Sequence, residues 1–365
     1  MKVVSFRARC SIFASQKKTN LVSKDMENID YKELGFGYVK TDYNVRCRYA
    51  DGAWGVPYVS ESEEVSIPIA ASCLHYGQEA FEGMKAFRGV DGKVRIFRMR
   101  DGARRLQSSC RGIVMPELPE EMFCGMVKQV VELNAKYIPP YESGAALYIR
   151  PLLIGTTAQV GVKPAKEYLF IVFVTPVGPY FPNGFGISDF VIMRDYDRAA
   201  PLGTGRYKVG GNYAAGMLPN HIAHKQGYAG EFYLDAKEKR FIDECGAANF
   251  FGIKDGAYIT PASSSILPSI TNKTLMQLAR GLGLRVEQRP VAEEELAELE
   301  EAGACGTAAV ISPIGRIDDP VRGVSYQISK DGQPGPWSTK LYKAIRAIQY
   351  GEMPDTHGWT TLLEI

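Results

Sequence analysis

One lysine in this chain stands where covalent chemistry is feasible. Lys208 is followed closely by the pair Gly210-Gly211 and by the phenol of Tyr213. Later segments supply two adjacent carboxylates, Asp243-Glu244, and a small-residue turn, Gly306-Thr307. A lysine, a carboxylate and turns open enough for a phosphate are the parts that hold pyridoxal phosphate. The lysine forms a Schiff base with the cofactor, and the carboxylate pairs with its pyridine nitrogen.

A lysine beside glycines is more often a surface residue at a turn, so the whole chain has to support this chemistry. The chain has 365 residues, a length that favours two domains. Its formal net charge of +2 provides no basic surface of the kind that nucleic-acid binding needs. No apolar stretch approaches the length of a membrane span. We therefore expect no nucleic-acid partner and no membrane partner.

The cysteines and histidines give no pattern for a disulfide scaffold or a metal site. The seven cysteines are scattered, without a C-x-x-C pair, which is typical of reduced thiols in a cytosol-like compartment. His221 and His224 have the spacing of neighbours on a helix, but no HExxH pattern or third ligand accompanies them. We expect no metal and a cytoplasmic location.

The first 25 residues differ from the rest of the chain. They carry six lysines and arginines and no acid before Asp25. They lack the continuous apolar core of a secretory signal. Two interpretations stay open: an organellar transit peptide, which would change the location, or an upstream extension of a chain that starts at Met26. The second is favoured. In both, residues 1–25 form a disordered N-terminal extension outside the fold.

Short apolar runs separated by turn residues predict strands in the first half of the chain. Examples are Val65–Ile69 and Lys93–Phe97. Apolar residues recur at helical spacing from Glu121 to Tyr137. Two further strands are predicted at Leu147–Leu153 and Tyr168–Val174, the second buried on both faces.

Proline and glycine are dense from Pro176 to Gly186, which predicts an interdomain linker at residues 176–188. Beyond it, strands near 189–194 and 231–235 alternate with helical patterns near 213–226, 271–282, 292–302 and 338–349. Pro219 predicts a kink or an altered start in the first of these helices. The expected fold is α/β, with a smaller N-terminal domain (26–175), a larger C-terminal domain (189–365) and a ligand cleft between them.

Several separate segments together resemble one enzyme family. They are Leu74-His75-Tyr76-Gly77, Phe81-Glu82-Gly83-Met84-Lys85-Ala86-Phe87, Phe97-Arg98 with Arg105-Leu106, Tyr148-Ile149-Arg150-Pro151, Tyr207–Tyr213 and Gly306-Thr307-Ala308-Ala309. In this order they resemble the branched-chain amino acid aminotransferases, which are pyridoxal-phosphate enzymes of fold-type IV, like D-amino acid aminotransferase. The resemblance covers residues 37 to 351, and it implies a homodimer whose pocket is partly closed by the other subunit.

The resemblance assigns the cofactor-binding residues. Lys208 matches the lysine that links to the cofactor and transfers the substrate proton, and Glu244 matches the acid that faces the pyridine nitrogen. Arg105 matches the phosphate-binding arginine, although Arg98, Arg100 and Arg104 stand close to it. The other positions that match cofactor contacts are Tyr213, Ser269, Ile270, Thr271 and Thr307.

Substrate recognition would fall on a second set of residues. They are Tyr76, Phe81, Gly83, Tyr148, Arg150, Tyr180, Thr307 and Ala308. The pocket has to accept an apolar branched side chain and, in the other half-reaction, the γ-carboxylate of glutamate. Aromatic walls suit the first substrate, and Arg150 with tyrosine hydroxyls suits the second.

Two positions depart from the family pattern. A glycine usually stands where this chain has Ser269, so the hydroxyl either adds to the anion site or shifts the turn. Some animal members have a C-x-x-C after the Gly-Thr-Ala turn, where this chain has Ala309 and Ser312. A thiol switch at that site is therefore not available here.

The resemblance implies transamination of leucine, isoleucine and valine with 2-oxoglutarate. Two alternatives stay open. One is another fold-type IV activity, that of a D-amino acid aminotransferase or an aminodeoxychorismate lyase. The other is a protein that binds pyridoxal phosphate without catalysis. The Tyr148-Ile149-Arg150-Pro151 segment favours the branched-chain interpretation, and the occupied catalytic positions argue against a silent binder.

Overall fold

The computed structural model describes residues 29–31, 34–178 and 185–365. The predicted N-terminal extension, residues 1–25, lies outside the described residues, and so does Tyr180. The rest of the predicted linker is described at residues 176–178 and 185–188.

The first sheet is built mainly from strands of the first half of the chain. These are β1 (Asn44–Ala50), β2 (Ala53–Trp54), β3 (Tyr58–Ser60), β4 (Glu79–Phe81), β5 (Met84–Arg88), β6 (Val94–Phe97), β7 (Ala146–Gly155) and β8 (Tyr168–Val177). The long antiparallel pair β7–β8 forms its centre, in a register that runs from Ala146 opposite Val177 to Gly155 opposite Tyr168. The two predicted strands at 147–153 and 168–174 are thus confirmed, and β8 is buried on both faces as expected.

Nine described strands form the second sheet. They are β9 (Ser188–Ile192), β10 (Gly230–Leu234), β11 (Ile242–Cys245), β12 (Ala248–Lys254), β13 (Ala257–Pro261), β14 (Arg285–Arg289), β15 (Glu301–Gly306), β16 (Val310–Asp319) and β17 (Val324–Gln327). Their order is β11-β10-β9-β16-β15-β12-β13-β14, and β17 pairs with β16. Since β11 also pairs with β12, six of these strands close into a ring.

The helices cover the sheets and place residues at the junction between them. They are α1 (Ser72–Tyr76), α2 (Met99–Gly112), α3 (Glu120–Leu133), α4 (Gly210–Ala214), α5 (Met217–Lys225), α6 (Ile270–Gly281) and α7 (Pro336–Gln349). Buried Phe123, Val127 and Val130 of α3 belong to the same apolar core as Phe170 and Val172 of β8. Burial of this face removes apolar surface from water and explains the helical periodicity of the sequence.

The altered helix start predicted around Pro219 is confirmed. Instead of one helix over 213–226, α4 ends at Ala214 and α5 begins at Met217. Pro219 is then the third residue of α5, in the first turn, where its missing N–H removes no intrahelical hydrogen bond.

Two sequence predictions of local structure are wrong. Residues Val65–Ile69 form no strand and are largely exposed, and Pro68 in their middle has no N–H to pair with a neighbouring strand. The helix predicted over 292–302 is a short 3-10 helix, Glu293–Glu298, and strand β15 begins at Glu301. Pairing of β15 with β12 and β16 buries Ala302 and Ala304 and outweighs the helical preference of this alanine- and glutamate-rich stretch.

The end of the chain returns to the first sheet. Strand β18 (Thr360–Leu363) pairs with β6, so this segment of the predicted C-terminal domain adds an edge strand to the sheet of the N-terminal part. Arg98 lies at this crossing. Its guanidinium stacks on Trp359, 5.3 Å from the ring centroid, and donates to Thr274 of α6 at 2.8 Å. In the described part of the chain, no helix combines the length and apolarity that a membrane crossing requires.

Candidate active site

The predicted site residues gather around a cleft of about 800 Å³ that has walls from both sheets. Its lining includes Phe81, Gly83, Arg105, Tyr148, Arg150, Lys208, Tyr213, Ser269, Thr307 and Ala308. Glu244 lies directly behind this lining, Ile270 and Thr271 line a small cavity beside the cleft, and Tyr76 is not part of the lining. The volume is within the usual range for a small-molecule site.

Lys208 lies in the cleft with its amine next to a phenol. Its Nζ is 2.6 Å from the Tyr213 hydroxyl and 4.6 Å from the centroid of the Phe81 ring. Burial, assisted by the Arg105 guanidinium, lowers the pKa of Lys208 to about 8. Burial also raises the pKa of Tyr213 to about 12. The pair therefore combines an amine that loses its proton close to neutral pH with a phenol that keeps its own.

Glu244 is buried behind the cleft wall and is held from three sides. Its Oε1 accepts hydrogen bonds from the Asn249 side chain and from the Leu267 backbone N–H, each at 3.0 Å. Its Oε2 forms an ion pair with Arg198. Burial raises the pKa of Glu244 to about 7, and the Arg198 guanidinium opposes that rise. Asn249 and Leu267 both line the cleft, so Glu244 contacts two lining residues from behind.

The neighbouring carboxylate points elsewhere. Consecutive side chains of a strand project to opposite faces, and β11 carries both acids. Asp243 accepts hydrogen bonds from the hydroxyls of Ser263 at 2.9 Å and of Ser265 at 2.8 Å. Asp243 is thus engaged by a serine loop, whereas Glu244 contacts residues of the cleft.

The start of α6 provides a place for an anion. The backbone N–H groups of the first turn of a helix have no intrahelical partner and favour negative charge. Ile270 and Thr271 begin this helix and, with Thr307, line a small cavity beside the main cleft. Ser269 has ordinary backbone angles (φ −67°, ψ 131°), so the position does not require glycine. Its hydroxyl caps the helix by accepting the Asn272 N–H at 3.2 Å.

Of the four clustered arginines, Arg105 is the one that lines the main cleft. Arg100 and Arg104 form ion pairs with Glu120 at the surface, and Arg98 pairs with Asp101. The guanidinium of Arg105 makes a two-pronged ion pair with buried Glu82, through bonds of 2.8 and 2.7 Å. This ion pair fixes the orientation of the forked Arg105 guanidinium.

Arg150 lies among aromatic rings, and one of its N–H donors has no hydrogen-bond partner among the described residues. Its guanidinium is 4.9 Å from the Phe81 ring centroid and 5.2 Å from that of Tyr148, and its Nη2 donates to the Tyr148 hydroxyl at 3.1 Å. Its buried Nε has no hydrogen-bond partner among the described residues. A buried charged donor without a partner is costly unless a ligand satisfies it. Gly83 allows the close approach of Tyr148, since a Cβ there would collide with the hydroxyl.

The structure places Tyr76 differently from the other predicted substrate residues. It is 40% exposed on the surface of its own chain, and its hydroxyl donates to the Val160 carbonyl. Tyr180 lies outside the described residues, so its predicted role stays a prediction.

Sequence reasoning missed four residues that the structure brings to the site. Glu82 forms an ion pair with Arg105, and Ser109 accepts the backbone N–H of Lys208. Arg198 forms an ion pair with Glu244. Phe36 lines the cleft, with its ring centroid 5.2 Å from that of Tyr148. A charged Glu82 between Phe81 and Gly83-Met84 was a signal of a buried acid with a partner. Arg198 and Ser109 carried no such signal, because their partners lie 46 and 99 positions away in the sequence.

The fold and the residues of this cleft are typical of one class of aminotransferases. Residues 79–317 match the family model described as Amino-transferase class IV. The match spans more than half of the chain, which therefore belongs to the class IV aminotransferases.

Similarity to individual proteins narrows the family. The chain is 46% identical to the branched-chain-amino-acid aminotransferase of Helicobacter pylori, over 92% of this chain and 98% of the relative. It is 44% identical to the protein of that name from Haemophilus influenzae, over 93% and 100%. A solved branched-chain amino acid aminotransferase from Thermobaculum terrenum, in PLP-form, matches with a TM-score of 0.71 at 26% identity, over 89% of this chain and 99% of that chain. Within class IV the chain belongs to the branched-chain-amino-acid aminotransferase family, and the predicted family and fold class are confirmed.

Proposed function

We propose that this protein transfers the amino group of L-leucine, L-isoleucine and L-valine to 2-oxoglutarate, reversibly, with pyridoxal phosphate as cofactor. The observation that carries the proposal is the composition of one cleft. It holds a buried amine whose pKa is lowered to about 8, and it also holds aromatic rings around a guanidinium with a free buried donor. The names of the relatives support branched-chain amino acids as the amino donors.

The donor set fits the cofactor. Lys208 would bind its aldehyde, and Tyr213, 2.6 Å from the lysine amine, would donate to its ring oxygen. Arg105, Thr307 and the start of α6 at Ile270 and Thr271 would hold its phosphate. When bound, pyridoxal phosphate withdraws electrons from the substrate carbon that carries the amino group.

Lys208 has a second role in this proposal. When it is not linked to the cofactor, its amine would accept the proton that the substrate Cα loses and would later return it, while pyridoxal phosphate would supply the electron withdrawal that makes this proton acidic. A pKa of about 8 suits a group that has to accept and return a proton near neutral pH. The Phe81 ring, with its centroid 4.6 Å from the amine, covers one side of it.

Glu244 would keep the pyridine nitrogen protonated. An ionised carboxylate favours the charged form of a neighbouring base. Burial works against ionisation of Glu244, and its ion pair with Arg198 opposes that effect and favours the charged form. We therefore assign Arg198 the task of keeping Glu244 ionised and oriented.

Arg150 would let one pocket serve two kinds of substrate. The rings of Phe81 and Tyr148 offer an apolar wall for a branched side chain. The unused Nε of Arg150 offers a charge-assisted hydrogen bond to the γ-carboxylate of glutamate. A pocket for leucine alone would gain nothing from a half-buried guanidinium.

Replacement of Arg150 by methionine should separate the two half-reactions. Loss of a hydrogen bond to a charged group costs about 1.5–3 kcal/mol, so the half-reaction with glutamate or 2-oxoglutarate should slow by about ten- to a hundredfold. The half-reaction with leucine should change much less. Single-turnover rates for each half measure both effects. Equal losses would mean that Arg150 serves the shared α-carboxylate or the fold.

A panel of L- and D-amino acids with 2-oxoglutarate tests the proposed function. We expect glutamate to form from L-leucine, L-isoleucine and L-valine, and little from any D-amino acid. Turnover of D-alanine with no turnover of the three L-amino acids would replace the proposal with a D-amino acid aminotransferase.

We further propose a homodimer in which Tyr76 reaches the pocket of the other subunit. The support is its position on an exposed apolar face with Ile69, Val160 and Val162, which are 91%, 86% and 83% exposed. Light scattering should give about twice the chain mass, and a monomeric mass with full activity would contradict the proposal.

A cytoplasmic location is also proposed. Its support is that the six described cysteines form no disulfide bond. Cell fractionation tests it.

A further inference from the structure

The backbone of Lys208 is held on both sides by elements of the first half of the chain. Its carbonyl accepts the N–H of Phe81, in β4, at 3.1 Å. Its own N–H donates to the Ser109 hydroxyl, in α2, at 2.9 Å. Val209 forms a β-bridge with Ala80 directly beside these bonds. The lysine belongs to the segment between β9 and α4, yet its position is set by β4 and α2.

These contacts close into a circuit, which we name the lysine ring: Lys208, Phe81, Glu82, Arg105 and Ser109. Glu82 follows Phe81 in the chain, and its carboxylate accepts both prongs of Arg105 at 2.8 and 2.7 Å. Arg105 and Ser109 are one helical turn apart on α2. The Ser109 hydroxyl donates to the Arg105 carbonyl at 3.1 Å and so completes the circuit.

The side chains that form the polar links of the ring are largely buried. Glu82 and Ser109 are fully buried, and the Arg105 side chain is 11% exposed. A hydroxyl has one donor and can also accept, and Ser109 uses both functions within the ring. Without that hydroxyl the partly buried N–H of Lys208 would lose its partner, and backbone groups that are shielded from water and have no partner are disfavoured. The local chain would then shift to find another partner.

We propose that Ser109 is a positioning residue that fixes Lys208 at a set distance from the phosphate-binding arginine. The proposal rests on the proposed function, because Arg105 and Lys208 are the two points at which pyridoxal phosphate would be held. One turn of α2 then acts as the spacer between the phosphate site and the reactive amine. Removal of the hydroxyl should misplace the amine while Glu82 continues to hold the Arg105 fork.

Two forms of the cofactor distinguish a misplaced Lys208 amine from a damaged phosphate site. Pyridoxal phosphate carries an aldehyde, and the neutral amine of Lys208 can form a carbon–nitrogen double bond to it. The aldehyde oxygen leaves as water with the two amine protons, so no oxidant or reductant is needed. Pyridoxamine phosphate has no aldehyde and cannot link to the lysine. Its affinity therefore reports on the non-covalent contacts with the phosphate and the ring, whereas the linking rate of pyridoxal phosphate also reports on the placement of Lys208.

The experiment compares Ser109→Ala with the wild-type full-length chain, both stripped of cofactor and then reloaded. Borohydride quenching at set times, followed by mass spectrometry of the Lys208 peptide, gives the linking rate. We expect the rate to fall by about tenfold or more, since small misplacements of reacting groups have effects of this size. The dissociation constant of pyridoxamine phosphate should stay within about twofold of the wild-type value, a change well below 1 kcal/mol.

Two further variants make the result decisive. Ser108→Ala removes the neighbouring hydroxyl of the same helix, outside the ring, and should link at the wild-type rate. Ser109→Cys preserves the side-chain shape but offers a weak acceptor, so it should fold and still link slowly. Wild-type linking rates in both Ser109 variants would overturn the proposal, as would an equal loss of pyridoxamine phosphate affinity. If the wild-type chain itself fails to link at Lys208, the proposed function fails instead.

Discussion

Replacement of Lys208 by alanine is expected to abolish transamination and the covalent attachment of the cofactor together. The substitution removes the amine that lies 2.6 Å from Tyr213, and no other lysine lines the cleft within the described residues. Attachment and proton transfer depend on the same nitrogen atom, so kcat should fall by about ten-thousandfold or more. Steady-state rates with leucine and the mass of the borohydride-treated protein measure both losses.

A matched control distinguishes loss of chemistry from loss of structure. Lys225→Ala removes an exposed lysine at the end of α5 and should retain wild-type activity and cofactor content. The Lys208→Ala chain should still bind pyridoxamine phosphate, because Arg105 and the start of α6 are unchanged. Turnover of leucine near the wild-type rate in Lys208→Ala would contradict the assignment of Lys208 as the residue that links to the cofactor and transfers the proton.

Replacement of Glu244 by glutamine should leave cofactor attachment unchanged and strongly lower kcat. A neutral amide cannot hold a proton on the pyridine nitrogen, so the cofactor loses most of its capacity to withdraw electrons. We expect kcat to fall by about a hundredfold or more, in line with the loss of a preorganised electrostatic group. The amount of cofactor bound per chain should stay close to that of the wild type. Stopped-flow rates and the cofactor absorbance measure the two quantities.

The adjacent acid provides the control for this experiment. Asp243→Asn alters a carboxylate whose partners are Ser263 and Ser265, and it should have a far smaller effect on kcat at equal cofactor content. Melting temperatures of both variants show whether either change disturbs the fold. A larger loss in Asp243→Asn, in a chain that remains folded, would transfer the pyridine-facing role to Asp243.

Local sequence was enough to predict features that depend on neighbouring residues. Lys208 and Tyr213 lie on one short segment, so their proximity follows from the turn that precedes α4. The apolar run at 168–174 predicted a strand buried on both faces because no polar residue interrupts it. Pro219 predicted a new helix start because proline has no N–H and is tolerated in a first turn.

Features that depend on distant partners were not predictable in the same way. The last two residues of the helix predicted over 292–302 belong instead to strand β15, because β12 and β16 pair with it on either side. Arg198 contacts Glu244 only once the chain has folded, and Ser109 contacts the Lys208 backbone only when α2 packs against it. Burial of these polar groups is a property of the assembled domains, and no periodicity in their own segments reveals it.

The most direct test of the central claim is a pair of half-reactions followed in one sample. L-Leucine added to the loaded enzyme, without any oxo acid, should convert the bound cofactor to its amine form and release one equivalent of 2-oxo acid per active site. Subsequent 2-oxoglutarate should restore the starting absorbance and release one equivalent of glutamate. A cofactor spectrum that does not respond to L-leucine, or a leucine-treated enzyme that 2-oxoglutarate fails to restore, would contradict the account.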